Sequence, residues 1–433
     1  MIHRVKIEKI IAGGYGLARL QDGPVLMAEH VLPGETVLVR ETSRHRGYIK
    51  GAPVEIMEAS PHRIPPPCPW FARCGGCSFQ HADAACQHRL KEAIVREALA
   101  RAGVAAGDFA YRPLLPSPRQ YGYRFRVRLK VDRGRIGFHR AGSNELVEIS
   151  RCLLATDRIN RSLAQLRASR DFRRIATGLR EVELHQGPAN NRVHAVLHLR
   201  GKAGPDTSRL KSFAGSLDII NNVLIKKGKN VLSLLPADED ALLSQDFDAG
   251  VCGIPFSLTW IPGCFSQANA PHNPNLISLV CGLLENPGGK RVLDLFCGMG
   301  NFSIPLALCG ADVTGVDVNR EGIARAELNA KAGGIAARFI TADAGSYLEG
   351  RGGKGDDFAT VLLDPPRQGL GRHVRSLAGL APETILYVSC DPATLARDLS
   401  VLAGSGYLPQ SVTPVDMFPQ TRHIETVVLL KKN

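Results

Sequence analysis

No stretch of this sequence approaches the ~20 consecutive apolar residues that a membrane-spanning helix needs. The opening MIHRVKIEKI also lacks the apolar core of a signal peptide. Both absences argue against a membrane protein or an exported one, and a cytoplasmic chain is expected. Internal repeats and low-complexity tracts are missing too, which sets aside solenoids and repetitive arrays. Acidic residues are in deficit: 41 Asp and Glu face 54 Lys and Arg, a formal charge of +13. That balance favours a polyanionic partner, nucleic acid first and a membrane surface second. Nothing in the composition calls for an obligate protein partner. Eleven cysteines are an odd number in a chain of 433 residues, which is too large to need disulfide staples. Reduced thiols and metal ligation are therefore expected rather than a disulfide framework.

At this length two or three domains are expected. Within residues 1–59, HRVKIEKI, GPVLMAEHV and ETVLVRET are short alternating segments separated by the turn signals AGGYG and LPGE. They predict a small β-barrel of OB type, a shape used for RNA. A central region, 60–250, begins with the structure-breaking prolines of SPHRIPPPCPW, a cysteine cluster, and a helix in DAACQHRLKEAIVREALARAG stopped by Gly103. In YGYRFRVRLKV, strand register puts Arg124, Arg126, Arg128 and Lys130 on one face and Tyr123, Phe125, Val127, Leu129 and Val131 on the other. That face reads either as a nucleic-acid track or as a solvated outer surface.

From residue 251 the segments RVLDLF, DVTGVD, ARFITAD, ATVLLD and ILYVSC alternate with helical sequence. This is βαβ rhythm and predicts an α/β fold with a doubly wound parallel sheet. HIETVVLLKK adds a closing strand, taken as antiparallel.

In such sheets ligands bind beyond the carboxyl ends of the strands. VLDLFCGMGNF is a strand followed by a Gly-rich turn that lacks the third glycine of the dinucleotide fingerprint. Asp317 ends the next strand about twenty residues on, where an acid meets ribose hydroxyls. Asp294, Asp317, Asp343 and Asp364 all fall at or near strand ends. Such a rim repels a diphosphate and favours the cationic S-adenosylmethionine over a nicotinamide dinucleotide. Each Asp taken singly also fits a helix N-cap.

The stiff turn LLDPPRQGL carries Asp364 where N-directed adenine methyltransferases use Asn-Pro-Pro-aromatic. With Cys390 on a neighbouring strand end, the coherent chemistry is methylation at carbon. C5 of a pyrimidine becomes nucleophilic only after a nucleophile adds at C6, and cysteine suits that role. A base must then take the C5 proton. Glu425 in RHIETVVLL is the candidate and His423 the rival. The alternative for Cys390 is a small buried hydrophobe.

The motifs SCDPATLARDL, RHIETV, FSQAN, LDLFCGMGNF and LDPPRQG together resemble those of the RNA uridine-5 methyltransferases, in the family's order over the last ~180 residues. The resemblance implies a class I adenosylmethionine-dependent fold, with Cys390 as nucleophile and Glu425 as base. It also implies a cofactor pocket lined by Gln267, Phe296, Asn301, Asp317, Asp343 and Asp364. Two positions depart from the family pattern: Asp317 where Glu is usual, and Asp391 where Ser-Cys-Asn-Pro is commoner.

Cys68, Cys74 and Cys77 in CPWFARCGGC are separated by five and two residues and read as metal ligands. Zinc and an iron-sulfur cluster both accept four thiolates, so spacing does not choose the metal, nor does it choose between Cys86 and Cys152 as fourth ligand. The family resemblance points to a 4Fe-4S cluster completed by Cys152 and to a TRAM domain in the barrel. That pairing implies the branch acting on 23S ribosomal RNA rather than transfer RNA. An iron-sulfur oxidoreductase and a non-catalytic RNA-binding protein are the rivals from other classes.

Overall fold

The computed structural model describes residues 1–433 except 21–22, 105–108, 202–205, 228–229, 234–241 and 352–356. Strands Ile2–Lys6, Lys9–Ile11, Tyr15–Arg19, Val25–Ala28, Thr36–Arg44 and Tyr48–Glu58 form one mixed six-stranded sheet. Val5, Ala18, Leu26, Val37 and Val39, alternating with exposed neighbours, meet in a core of their own. A single sheet that encloses its own core must curl around it, which gives the barrel-like form expected of this segment.

The helix Ala84–Arg101 is capped by Asp83, and the chain turns at Gly103 with φ +71°. A seven-stranded sheet follows. Its apolar face (Val127, Leu129, Val182, Leu184, Ala195 and Leu197) packs against helices Asp157–Ala168, Arg170–Ile175 and Thr207–Gly215. This is an α+β arrangement.

On the opposite face, which the sequence allowed as a nucleic-acid track or a solvated surface, part of the cationic row is neutralised. Strand Arg126–Asp132 pairs antiparallel with Leu179–Gln186, placing Arg128 opposite Glu183 and Lys130 opposite Glu181. Arg128 is ion-paired with Glu183, and Lys130 with Glu181. Arg124 precedes the strand, and its Nε is buried without a partner. Cross-strand neutralisation comes from a segment some fifty residues away, which a one-strand pattern does not contain.

The catalytic sheet comprises β1 (Arg291–Leu295), β2 (Asp312–Asp317), β3 (Ala337–Thr341), β4 (Thr360–Leu363), β5 (Thr384–Ser389), β6 (Tyr407–Val415) and β7 (Glu425–Lys432). Their order is β3-β2-β1-β4-β5-β7-β6, extended at the β6 edge by Ala110–Tyr111. β1 to β5 run parallel, and β7 lies antiparallel between β5 and β6. Leu293, Val361, Ile385 and Tyr387 enter one core, while Val292, Leu362, Leu386 and Val388 enter another on the opposite face. Both faces are covered, so the strands read as unbroken apolar runs, each buried aliphatic contributing roughly 1.5–3 kcal/mol.

The expectation of wholly reduced thiols is corrected at one place. Cys252, in the turn between strands Leu243–Val251 and Ile254–Trp260, is bonded to Cys309 just after helix Ser303–Leu308. The pair is distant in sequence and brought together only by the packing of that hairpin. The other nine cysteines are free. Among the described residues no helix is long and apolar enough to cross a membrane.

Candidate active site

Strand ends build the site. β5 delivers Cys390, and Asp391 immediately caps the helix Pro392–Ala403 by accepting from Ala393 N (3.1 Å) and Thr394 N (3.0 Å). β7 pairs with β5 so that Ser389 faces Thr426. The next residues beyond that last pair are Cys390 and Glu425, and both line one cavity. β4 lies on the other side of β5 and delivers Asp364 at the double-proline turn.

The turn is anchored from beneath. Asp398 accepts from Leu370 N and from Tyr387 Oη, both at 2.8 Å, and Thr394 Oγ1 donates to Arg367 O at 2.9 Å. Cys390, the acid turn of Asp364 and Glu425 thus sit at the ends of three adjacent strands.

The loop after β1 holds Phe296 at φ +65°, a conformation that is costly for an aromatic residue and retained where surroundings demand it. Its amide donates to Val316 O at 2.8 Å. At Gly300 (φ +91°) a Cβ would stand 2.8 Å from Ile304, so the turn needs glycine there. Asp317 accepts from Gly298 N (2.9 Å) and Asn319 N (2.7 Å), bracing the loop from the end of β2. Asn301 and Asn273 exchange side-chain bonds of 2.8 and 3.2 Å.

One cavity of about 840 Å³ is lined by Gln267, Phe296, Asn301, Asp317, Asp364, Cys390 and Glu425. Asp343 is not on that wall. It is exposed and caps the helix Ala344–Arg351 through Ser346 N at 2.9 Å, an interaction that also lowers its pKa.

Burial governs the charges. It pushes Asp364 up to about 7 and Asp294 up to about 8. Burial, and then the charge of Asp364, hold Glu425 well above the usual carboxylate range. The Cys390 thiol is raised to about 12 by burial, then by Glu425 and Asp364. His423 is lowered to about 3 by burial and by Arg367, which lies 3.3 Å from its ring, so the rival base is a weak one. Glu425 Oε1 and Asp294 Oδ1 are buried without a hydrogen-bond partner. Orphaned carboxyl oxygens of this kind suit a bound donor or cation.

The same cavity wall carries Cys68, Cys74, Cys77 and Cys152. Burial raises Cys74 to about 11 and Cys77 to about 12, with Cys152 adding to both. Cys86 instead packs among Ile10, Leu32 and Phe79. The structure therefore brings Cys152, and not Cys86, to the other three thiols. Among the described residues no group of three His, Cys, Asp or Glu side chains is arranged to hold a metal ion.

Sequence reading missed Arg367, Phe418 and Phe265, which also line the cavity together with Arg124, Arg126 and Arg128 of the predicted cationic face. Arg367 lay within a quoted motif. The Phe418 ring, 6.0 Å from the Arg124 guanidinium, had no periodic signal to mark it.

The family model described as tRNA (Uracil-5-)-methyltransferase matches residues 245–433. A 23S rRNA (uracil(1939)-C(5))-methyltransferase, RlmD, of Shewanella frigidimarina is 34% identical over 97% of this chain and 93% of its own length. The RlmD of Aeromonas hydrophila is 35% identical over 96% of this chain and 93% of its own length. This chain belongs to the RNA uracil-C5 methyltransferase family. Its fold agrees with that of a solved relative, the Pyrococcus abyssi tRNA (uracil-54, C5)-methyltransferase in complex with S-adenosyl-L-homocysteine. The TM-score is 0.73 at 25% identity, covering 99% of this chain and 100% of that one. Within a uracil-C5 methyltransferase the two sequence departures have physical accounts. Asp391 caps its helix as an Asn would, and Asp317 reaches the Gly-rich loop directly.

The shift at Asp294 has a measurable consequence. The native carboxyl keeps a proton to about 8 that the unfolded chain releases near 3.8. The native state therefore binds more protons across that window, and stability falls as pH rises through it, by up to about 1.4 kcal/mol per unit. Asp294→Asn keeps an acceptor for Ser303 and removes the loss. Its thermal midpoint relative to the parent should rise steadily from pH 5 to pH 8; a pH-independent difference would refute the assignment.

Proposed function

We propose that this chain methylates C5 of a uridine in 23S ribosomal RNA, using S-adenosylmethionine and a covalent adduct on Cys390. The observation that carries this reading is one cavity lined by Cys390, Glu425 and Asp364, each next to the end of the paired strands β5, β7 and β4. The identity to ribosomal RNA enzymes exceeds that to the transfer-RNA relative, which favours 23S RNA as substrate.

S-adenosylmethionine supplies the electrophilic methyl group. Gln267, Phe296, Asn301 and Asp317 would hold it, and the orphaned Glu425 oxygen on the same wall fits a cationic ligand. The Cys390 sulfur adds to C6 as its thiol proton passes to a neighbouring carboxylate, and the C5=C6 electrons move toward O4, so that C5 becomes the nucleophile and takes the methyl group. Burial, and then the neighbouring Asp364, hold Glu425 well above the usual carboxylate range, which suits it to take a proton. Glu425 takes the C5 proton, the double bond re-forms, and Cys390 leaves.

The base must first be drawn out of folded RNA, at roughly a few kcal/mol. The net charge of +13 and the TRAM-like barrel of residues 1–59 offset that cost, as RNA-binding elements of a cytoplasmic enzyme. The central segment 60–250 presents the cysteines, and 251–433 performs the transfer.

Cys68, Cys74, Cys77 and Cys152 would hold a 4Fe-4S cluster. Four thiols line one cavity wall, and burial, with Cys152 adding to it, raises Cys68, Cys74 and Cys77, which fits a group that takes them as thiolates. A cluster of several irons also spans more space than the single-ion geometry that the described residues do not form.

Two experiments test these assignments. Incubated with a 23S RNA fragment and cofactor, Glu425→Gln should accumulate methylated RNA bound to Cys390, detected by intact mass. Cys390→Ala should lose at least about a thousandfold in rate. Efficient methylation by either variant would reject the mechanism. Anaerobically prepared enzyme should contain about four irons and four sulfides per chain, lost in Cys152→Ser and kept in Cys86→Ser. The reverse pattern would reject the ligand set.

A further inference from the structure

The segment between β6 and β7, residues 416–424, carries Phe418 and His423 into the cavity and leads directly to Glu425. Its polar groups find their partners mainly in the central region. Lys91, wholly buried, donates to Asp416 Oδ1 at 2.5 Å and to Phe418 O at 2.9 Å. Tyr123 Oη donates to Pro419 O at 2.9 Å.

Gln420 is the most heavily engaged residue of this tip. Its amide donates to Gln87 Oε1 at 3.0 Å, and Gln87 Nε2 returns a bond to its Oε1 at 2.9 Å. Its Nε2 donates to Gln120 Oε1 at 3.2 Å. Its carbonyl accepts from Ser78 N at 2.9 Å and Phe79 N at 3.0 Å. Ser78 and Phe79 directly follow Cys77. Gln420 is 4% exposed and sits at φ +67°, a conformation that glutamine adopts only when its surroundings impose it.

We infer that Gln420 is a positioning residue, a clasp through which the cysteine-bearing segment fixes the shape of the catalytic hairpin and so places Phe418 and His423 beside Glu425. Every hydrogen-bonding group of one residue is spent on segments drawn from 78–87 and 120. These segments share no strand pairing with β6 or β7, so the clasp is what ties the hairpin tip to the cysteine segment, beyond the bonds from Lys91 and Tyr123. A displacement of about 1 Å at a reacting centre is enough to cost on the order of a hundredfold in rate. The cysteine segment then contributes to the chemical step without touching substrate. The chemical part of this inference rests on the function proposed above.

The test uses iron-loaded full-length enzyme and approaches the contact from both sides, with Gln420→Ala and Gln87→Ala. Each should lower kcat at least about tenfold while KM for S-adenosylmethionine and iron content stay within about twofold. The double variant should be no worse than the poorer single one, because both remove the same contact. Amide hydrogen exchange in 416–424 should quicken at least about tenfold, with β1 and β2 unchanged. Unchanged kcat and exchange would overturn the clasp. So would a parallel loss of rate, cofactor affinity and iron, which marks a merely structural contact. The exchange measurement does not depend on the chemistry. A Glu425→Gln control that fails to trap RNA would count against the proposed function and leave exchange to judge the clasp.

Discussion

Three carboxyls and a thiol, Asp294, Asp364, Glu425 and Cys390, are held in a largely buried space at the ends of neighbouring strands. That crowding of like charge is the constraint on which the rest of the site depends. Each group is pushed toward its protonated form by burial, and charged neighbours push Asp294, Cys390 and Glu425 further. The fold tolerates this because the apolar strands beneath are covered on both faces and leave the groups no route outward. The arrangement stores a preference for a cationic ligand. It also holds Cys390 as a thiol.

The antiparallel β7 is what turns this crowding into chemistry. A parallel strand in its place would need a crossover and would present its carboxyl end to the site. The antiparallel strand begins there instead, so Glu425 arrives at the first position of β7 and lines the same cavity as Cys390 at the end of β5. The connection from β6 is then obliged to pass over the cavity. Its need for partners is met by Lys91, Tyr123, Gln87 and the residues after Cys77. Cysteine segment and catalytic hairpin are in this way parts of one structure, although more than three hundred residues separate them.

Much of this was legible in the sequence, because a strand end followed by glycine, proline or a helix cap has a local signature. Cys390, Asp364 and the Phe296–Asn301 loop could be placed from neighbours within a few residues, and Glu425 from the apolar run that follows it. What was not legible depends on distant pairing. Arg128 and Lys130 looked free because Glu183 and Glu181 lie on a strand that pairs with theirs only in three dimensions. Asp343 shares its strand-end position with true pocket residues, and only the direction of its side chain marks it as a cap. Cys86 and Cys152 could not be separated by spacing, since a helical turn sends one into an apolar core and a loop sends the other into the cavity. The Cys252–Cys309 bond and the engagement of Gln420 depend on packing that has no local pattern.

The central claim is that Glu425 and Cys390 share one electrostatic environment across the β5–β7 pair. The most direct measurement is the pH profile of Cys390 alkylation by iodoacetamide, resolved by peptide mass spectrometry, in the parent enzyme and in Glu425→Gln. The account predicts a high midpoint in the parent and a clearly lower one in the variant, because one of the charges that oppose the thiolate is gone. Identical midpoints would show that the two groups do not sense each other, and the shared environment of Cys390 and Glu425 would be wrong.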